Sequence, residues 1–344
     1  MNRKLRLTLL VCWLTACAAP AVPRPTVTPY VGTPRPVIVD TDMAADDWLA
    51  ILYLLQRQDI SVIAITVTGT GGAHCEPGVQ HALGLIALAG QSGIPVACGR
   101  ETPLQGDHAF PKAWREDVDN LLGLTLPQGS NPAAGTAVEL LAAVIQSSPE
   151  KIILLTLGPL TNVAEALQAT PTLKDQLATI VIMGGAVKVP GNVGASGVGI
   201  DNPVAEWNIY ADPYAASLVF QSGAPITLVP LDATNQAPIT MDFFDRLERD
   251  QTTPEAEFVY RVLTRQIDFI QSGGYYFWDP LAAAILADES LATIETMSLK
   301  VVEEEGLESG WTQPTKDGTP VRVAVWADGQ RFERIFLDTL NAQP

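Results

Sequence analysis

Short apolar runs alternate with helical patterns along most of this chain, and this alternation restricts the fold more than any other feature. The apolar runs occur at residues 61–67, 94–97, 151–156, 178–183 and 225–231. Helical patterns fill the intervals at residues 77–89, 135–147, 160–169 and 212–221. Strands joined through helices form right-handed crossovers and a mostly parallel sheet. The alternation therefore predicts an α/β fold whose central sheet is covered by helices on both faces.

The C-terminal third is predicted to continue the same domain. It contains helical stretches near residues 243–271 and 279–287, short strands such as 321–326, and a last helix near 330–340. No second linker separates these elements from the preceding ones. Because 47% of the residues are hydrophobic, the chain can bury a substantial core. We therefore expect a single large domain.

The first 35 residues have the composition of an export signal and a tether. Arg3, Lys4 and Arg6 precede the apolar residues 7–14, which are too few to span a bilayer. The following Leu-Thr-Ala-Cys resembles the bacterial lipoprotein signal, in which the Cys, here Cys17, is lipidated. We therefore expect an exported protein anchored to a membrane through Cys17, at the cell surface or the periplasmic face. The predicted divisions are a lipoprotein signal peptide at residues 1–16, a Pro-rich tether at 17–35 and the folded domain at 36–344.

The net charge limits the classes of binding partner, and the cysteine content limits the possible disulfides. Removal of residues 1–16 takes away three of the 21 Lys and Arg residues and none of the 38 Asp and Glu residues, so the formal charge changes from −17 to −20. Such an acidic surface disfavours nucleic acid as a partner. Export permits a disulfide between Cys75 and Cys98, but two buried thiols are equally compatible with the sequence. The sequence is also compatible with a homo-oligomer.

Four carboxylates lie within eight residues directly after an apolar run. Asp40, Asp42, Asp46 and Asp47 follow residues 37–39 and lead into a helical pattern. They therefore occupy the carboxyl end of a predicted parallel strand, where open α/β sheets bind ligands. Carboxylates this close together call for a neutralising cation, and oxygen ligands suit calcium or magnesium. The alternative is that Asp46 and Asp47 only favour a helix N-terminus.

Three further segments place polar groups at the ends of predicted elements. Leu157-Gly-Pro-Leu-Thr-Asn162 follows a strand, Glu206-Trp207-Asn208 follows a Gly-rich loop, and Trp278-Asp279-Pro280 precedes an Ala-rich helix. Each segment taken alone is also compatible with an ordinary turn or helix cap.

Six segments, in this order, resemble the inosine-uridine preferring nucleoside hydrolase family: DTDMAADD, LGPLTN, MGGA, PVAEWNIYADP, VPLDATNQ and WDPLAAAIL. The resemblance extends from Val37 to about Leu340. It implies a Rossmann-like α/β domain with its site at the C-terminal ends of the strands. It also implies hydrolysis of the N-glycosidic bond of ribonucleosides, to free base and ribose, with a bound calcium ion.

The resemblance implies a role for each matching residue. Calcium would bind the side chains of Asp42, Asp47 and Asp279 and the backbone carbonyl of Leu157. Asp42 would also take a proton from calcium-bound water, which makes it the catalytic residue, while Asp40 would orient the acidic loop. The implied ribose contacts are Asp46 at the 2′-hydroxyl, Asn208 near the 3′-hydroxyl and Glu206 at the 5′-hydroxyl.

The chain departs from the family pattern at several positions. The family's usual Pro-Gly in the acidic loop is Met43-Ala44 here, and a family asparagine that follows a Gly is Thr70. Extra residues separate Gly191-Asn192 from Glu206, so either Asn192 or Asn202 is the expected ribose-contacting asparagine.

Directly before the last predicted calcium ligand, Trp278 stands where many family members have a histidine. The purine-specific branch is similar in placing a tryptophan there, where it stacks on the base. The resemblance therefore implies that purine ribonucleosides are preferred and that Trp278 binds substrate. Trp114 is a candidate for the other face of the base. The alternatives are a core or rim position for Trp278 and a leaving-group acid at His108.

Two other functions compete with nucleoside hydrolysis. An Asp-Thr-Asp after an apolar strand also resembles the nucleophile loop of haloacid-dehalogenase-type phosphohydrolases, with Asp40 attacking phosphate and Asp42 as the acid. That interpretation leaves Glu206 and Asp279 unexplained. The departures from the family pattern leave a second alternative open, a non-catalytic, calcium-dependent lipoprotein that binds nucleosides or another ribosyl ligand. A test for free ribose and free phosphate separates the three.

Overall fold

One nine-stranded sheet forms the centre of the computed structural model, which describes residues 30–342. The strands are β1 (Arg35–Thr41), β2 (Ile60–Val67), β3 (Val96–Cys98), β4 (Ile152–Thr156), β5 (Leu177–Met183), β6 (Ile226–Val229), β7 (Ala292–Val301), β8 (Thr312–Pro314) and β9 (Thr319–Ala327). Their order across the sheet is β3-β2-β1-β4-β5-β6-β9-β7-β8. The predicted signal peptide, with Cys17 beside it, and most of the predicted tether lie outside the described residues.

The sheet is parallel except at one edge. Strands β1 to β6 are mutually parallel, and β9 joins β6 in the same direction. Strands β7 and β8 complete the sheet in antiparallel pairing. The strand order changes direction between β1 and β4, which is the position where doubly wound sheets bind ligands. The predicted mostly parallel sheet is therefore confirmed, and the acidic loop follows a strand at this switch point.

Helices cover both faces of the sheet, as predicted. They are α1 (Ala45–Leu55), α2 (Cys75–Leu88), α3 (Lys112–Asp119), α4 (Ala137–Ser147), α5 (Thr161–Ala169), α6 (Trp207–Ala211), α7 (Pro213–Gln221), α8 (Leu231–Thr234), α9 (Met241–Arg249), α10 (Pro254–Arg265), α11 (Ile267–Gln271), α12 (Trp278–Ala287) and α13 (Gly329–Leu340). The predicted helical stretch at 243–271 is divided into α9, α10 and α11. The division after α9 arises because Thr253 caps a new helix whose first residue is Pro254.

The core lies on both sides of the sheet because successive strand residues point to opposite faces. Val37 and Val39 of β1 belong to the apolar cluster that contains Trp48 of α1 and Phe277. Ile38 belongs to the cluster on the other face, with the helices α4, α5 and α7. The chain is therefore a single α/β domain in which every central strand is buried on both faces.

A disulfide joins Cys75, at the start of α2, to Cys98, at the end of β3, with the two Cα atoms 5.5 Å apart. The structure therefore selects the bridged state from the two alternatives that the sequence allowed. The bridge ties down the segment that follows β2, which lies next to the acidic loop. Within residues 30–342, the longest apolar helices fall short of the length and hydropathy that a membrane crossing requires.

Candidate active site

The acidic loop is a tight connection between β1 and α1. Met43 has a left-handed backbone conformation, with φ of 58°, at a position where glycine would be unstrained. Its N–H donates to Thr41 Oγ1 at 3.0 Å, and its carbonyl accepts from Trp48 Nε1 at 2.8 Å. The Met43 side chain is fully buried. Burial and these two hydrogen bonds hold Met43, which stands where the family usually has proline, in this conformation. Ala44, in place of the family's usual glycine, has an ordinary extended backbone with φ of −65°.

Asp42 is held by backbone groups on two sides. Its Oδ2 accepts from the N–H of Gly72 at 2.9 Å, and its Oδ1 accepts from the N–H of Ala44 at 3.2 Å. A Cβ atom at Gly71 would lie 2.0 Å from Asp42 Oδ2, and one at Gly158 would lie 2.7 Å from Asp42 Cβ. Only glycine fits at these positions. The contact of Gly71 with Asp42 was not predicted, although the Gly-rich run after β2 is visible in the sequence, and Gly158 belongs to the segment that follows β4.

Three carboxylates meet where the N-termini of α1 and α12 pack together. Asp46 and Asp47 from α1 and Asp279 from α12 each place an oxygen within 4.8 Å of the others. The positive ends of both helix dipoles favour negative charge there. Asp47 also accepts a hydrogen bond from the hydroxyl of Thr41. The chain fold thus brings Asp279 to Asp47, the two being predicted ligands of one metal ion. The third member of this group is Asp46, which was predicted to bind ribose, and the predicted ligand Asp42 is not part of it.

Burial and mutual repulsion work against ionisation of this group. Burial raises the pKa of Asp46 to about 7, with a further contribution from the charge of Asp42. Burial and neighbouring carboxylates raise the pKa of Asp47 and of Asp279 well above the usual range. Asp47 Oδ2 and Asp279 Oδ1 are buried and accept no hydrogen bond from the described residues. Buried acceptors of this kind fit a hard cation, which would satisfy their lone pairs and favour the charged form.

The backbone carbonyl of Leu157 follows β4 and lies at the same edge. It accepts a hydrogen bond from Nδ2 of Asn208 at 3.0 Å, and the same nitrogen donates to the carbonyl of Met183 at 3.2 Å. Asn208 therefore links the ends of β4 and β5. The predicted ribose contact at Asn208 could use only its Oδ1. The hydrogen bond from Asn208 to Leu157 leaves no signal in the sequence, because it depends on the packing of α6 against two strand ends.

Glu206 is the N-cap of α6. Its Oε1 accepts from the N–H of Asn208 at 3.0 Å, and its Oε2 accepts from the N–H groups of Gly185 at 2.9 Å and Ile209 at 3.3 Å. Burial raises its pKa to about 7. The carboxylate is thus fixed at the carboxyl end of β5, close enough for its charge to act on Asp46.

The two candidate asparagines have different surroundings. Asn202 is buried; its Nδ2 donates to Ser309 O, and its Oδ1 accepts from the N–H groups of Val204 and Ala205. Asn192 Oδ1 accepts from the N–H of Trp207 at 3.2 Å, and its Nδ2 donates to none of the residues from 30 to 342. The extra residues between Asn192 and Glu206 form a loop that is closed by backbone hydrogen bonds from Val193 to Ala205 and from Gly194 to Asn202. This closure keeps Asn192 beside Glu206. The geometry therefore favours Asn192 over Asn202.

Trp278 is half-buried in an aromatic cluster at the start of α12. Its ring centre lies 5.7 Å from that of Tyr275, 5.8 Å from Tyr276 and 6.3 Å from Phe269. Trp114 is 38% exposed and belongs to a different group, where it meets Trp207 edge-on at 5.3 Å. The two tryptophans are therefore supported by separate parts of the chain.

His108 and Asp40, the key residues of two alternatives, are engaged elsewhere. The ring nitrogens of His108 contact Tyr210 O at 2.7 Å and Glu305 Oε2 at 2.9 Å, so neither is left for a leaving group. Asp40 is fully buried inside β1, where Oδ1 accepts from Thr66 Oγ1 at 2.5 Å and Asn162 Nδ2 at 2.8 Å, while Oδ2 has no hydrogen-bond partner among the described residues. Asp40 is thus poorly placed for nucleophilic attack on a phosphate.

A Rossmann-like sheet with buried carboxylates at its switch point is the architecture of nucleoside hydrolases. The chain belongs to the inosine-uridine preferring nucleoside hydrolase family, whose model matches residues 37–334. It is therefore a hydrolase that acts on the N-glycosidic bond of ribonucleosides. The family uses a metal ion, and the group formed by Asp46, Asp47 and Asp279 is able to hold one.

Proteins similar to this chain carry names that specify different nucleoside bases. The pyrimidine-specific ribonucleoside hydrolase RihA of Shewanella oneidensis is 38% identical over 66% of this chain and 68% of its own length. The inosine-uridine preferring nucleoside hydrolase of Bacillus anthracis matches with a TM-score of 0.78 and 27% identity, over 89% of this chain and 99% of its own. The purine-preferring ribonucleoside hydrolase of Gardnerella vaginalis matches with a TM-score of 0.76 and 28% identity, over 89% and 98%.

Proposed function

We propose that this enzyme hydrolyses ribonucleosides, with purine ribonucleosides preferred, at a calcium site formed by Asp42, Asp47, Asp279 and the carbonyl of Leu157. The observation that carries the metal proposal is the pair of buried carboxylate oxygens, Asp47 Oδ2 and Asp279 Oδ1, which have no hydrogen-bond partner in residues 30–342. All ligands of the proposed site are oxygens, which suits calcium. When bound, calcium supplies the positive charge that holds the attacking water and the ribose hydroxyls.

In the proposed mechanism, Asp42 is the general base. Water attacks C1′ of the ribose, its proton passes to Asp42, and the electron pair of the C1′–N bond leaves with the base. The backbone N–H groups of Gly72 and Ala44 fix the direction of the Asp42 carboxylate before the reaction begins. Positive charge that develops on the ribosyl group is stabilised by the surrounding carboxylates, including those of Asp46 and Glu206.

The remaining roles follow from placement at the same edge of the sheet. Asp46 accepts from the 2′-hydroxyl, Asn208 contacts the 3′-hydroxyl through Oδ1, and Glu206 with Asn192 binds the 5′-hydroxyl. These contacts depend on ribose hydroxyls, so deoxyribonucleosides are expected to be poor substrates. For the base, Trp278 offers its ring face, and a bicyclic purine overlaps an indole more than a pyrimidine does.

One assay tests the proposed function. Free ribose is measured after incubation with inosine, guanosine, uridine and cytidine, with calcium and then with a chelator. We expect faster release from the two purine nucleosides and loss of activity in the chelator. Preference for uridine or cytidine would overturn the base assignment, and activity that survives complete metal removal would overturn the metal assignment. Calcium-dependent binding without ribose release would identify the non-catalytic alternative.

We also propose that the enzyme is exported and anchored to a membrane through lipidated Cys17. The Cys75–Cys98 disulfide supports this location because disulfides persist in oxidising compartments. In cells given a labelled fatty acid, the wild-type protein is expected to carry label and a Cys17→Ser variant to carry none. Equal labelling of the two proteins would contradict the anchor.

A further inference from the structure

Four buried polar side chains form a continuous chain of hydrogen bonds below the site. The hydroxyl oxygens of Thr68 and Thr70 are 3.2 Å apart. Thr70 Oγ1 donates to Thr161 Oγ1 at 3.1 Å, and Thr161 Oγ1 donates to Asp212 Oδ2 at 2.8 Å. All four residues are at most 1% exposed. We call Thr68, Thr70, Thr161 and Asp212 the hydroxyl relay.

The carboxylate of Asp212 sets the direction of every bond in the hydroxyl relay. A carboxylate accepts hydrogen bonds and does not donate them, so the single hydroxyl proton of Thr161 is donated to Asp212. Thr161 can then only accept from Thr70, and Thr70 in turn can only accept from Thr68. Asp212 is itself held by the N–H groups of Leu104 and Ala215. The hydroxyl relay therefore has one fixed end at α7 and one end in the loop after β2.

The loop end of the hydroxyl relay lies directly beside Asp42. Gly71 follows Thr70 and is in such close contact with Asp42 that no side chain fits there. Gly72 donates its N–H to Asp42 Oδ2, and the N–H of Ala73 donates to the backbone carbonyl of Asp42 at 2.8 Å. A displacement of Thr70 therefore moves two of the donors that hold Asp42.

We propose that Thr70 and Thr161 are positioning residues that orient the Asp42 carboxylate through the Gly71-Gly72 backbone. The inference rests on the proposed role of Asp42 as base and metal ligand. It assigns a purpose to Thr70, which departs from the family's asparagine. Because the hydroxyls are buried away from water, a missing bond has no solvent replacement, and the loop loses its link to α7.

Thr70→Val tests the proposal, since valine keeps the volume and removes only the hydroxyl. Thr70→Ser is the rescue variant. Thr234→Val is the matched control, because Thr234 is also fully buried and its hydroxyl has no partner in the described chain. We expect Thr70→Val to lower kcat for inosine about tenfold, the scale of one orienting hydrogen bond, with little change in KM. Thr70→Ser is expected to recover at least half of the wild-type kcat, and Thr234→Val to match the wild type.

A calcium titration supplies the second readout. Thr70→Val is expected to bind calcium about threefold to tenfold more weakly than Thr234→Val, with both variants folded by circular dichroism. Wild-type kcat and calcium affinity in Thr70→Val would overturn the proposal, as would a Thr70→Ser variant as impaired as Thr70→Val. If the wild type released no ribose, the proposed function would fall, and the calcium titration alone would decide the positioning role.

Discussion

The two ends of the site are built in different ways. The ribose and metal end consists of strand ends and the first turns of α1 and α12, where carboxylates are buried and held by backbone N–H groups. The proposed base end consists of more exposed aromatic rings: Trp278, the first residue of α12, is half-buried, and Trp114 of α3 is 38% exposed. Under the proposed function, the residues at the strand ends carry the reaction and the aromatic residues select the base. Substitutions at the metal end should therefore be far more damaging.

Asp47→Ala is expected to have the largest effect. Asp47 is fully buried and offers a carboxylate oxygen that no neighbour replaces, so the variant should lose bound calcium and all measurable ribose release. It should also lose the rise in Tm that calcium gives the wild type. Asp232→Ala is the control, because Asp232 is another buried acid, and within residues 30–342 its carboxylate accepts from the backbone N–H groups of Val187 and Lys188 alone. Stoichiometric calcium in purified Asp47→Ala, by elemental analysis, would refute the assignment.

Asp42→Asn is expected to have the next largest effect. The amide cannot accept the proton of water, and loss of a general base lowers kcat by about 10²–10⁴-fold. The Asp42 carboxylate accepts hydrogen bonds from two backbone N–H groups. In the Asn variant, one of these N–H groups faces an NH₂ group, which is also a donor, so a modest fall in Tm should accompany the kinetic loss. Single-turnover ribose release measures the chemical step directly. A kcat within threefold of the wild type would remove Asp42 from the role of base.

Trp278→Ala should reduce kcat/KM for inosine and guanosine, with a loss on the order of 1–3 kcal/mol in transition-state stabilisation. The loss for uridine should be smaller, because a pyrimidine overlaps the indole less. Trp326→Ala is the control, since Trp326 is 48% exposed on β9. Equal losses for purine and pyrimidine nucleosides would show that Trp278 supports the fold of the site and does not select the base.

Trp114→Ala should have the smallest effect. The Trp114 ring contacts Trp207 edge-on, and one such aromatic pair stabilises a protein by about 0.5–1.5 kcal/mol beyond its burial. We expect KM for inosine to rise a few-fold while kcat stays near the wild-type value. If Trp114→Ala instead matched Trp278→Ala in kcat/KM, the two rings would act together on the base, and the contrast between the two ends of the site would weaken.

Much of the fold could be predicted because parallel sheets leave a strong sequence pattern. The strands β2, β4 and β5 lie within one or two residues of the predicted runs, since buried strands are continuously apolar. The long antiparallel strand β7 was not predicted. Its residues are mostly exposed or half-buried, so it lacks the apolar run by which the others were found.

The sequence by itself determined the family, the sheet class and the set of acids, because these depend on local composition and on motif order. Only the tertiary structure decided which of these side chains and backbone groups lie in contact. Asp279 reaches Asp46 and Asp47 through the packing of α12 on α1, Asn208 turns to the carbonyl of Leu157, and Thr70 connects to Asp212 through Thr161. Contacts between residues far apart in the chain depend on how helices and strands pack in three dimensions, and no local pattern encodes that packing.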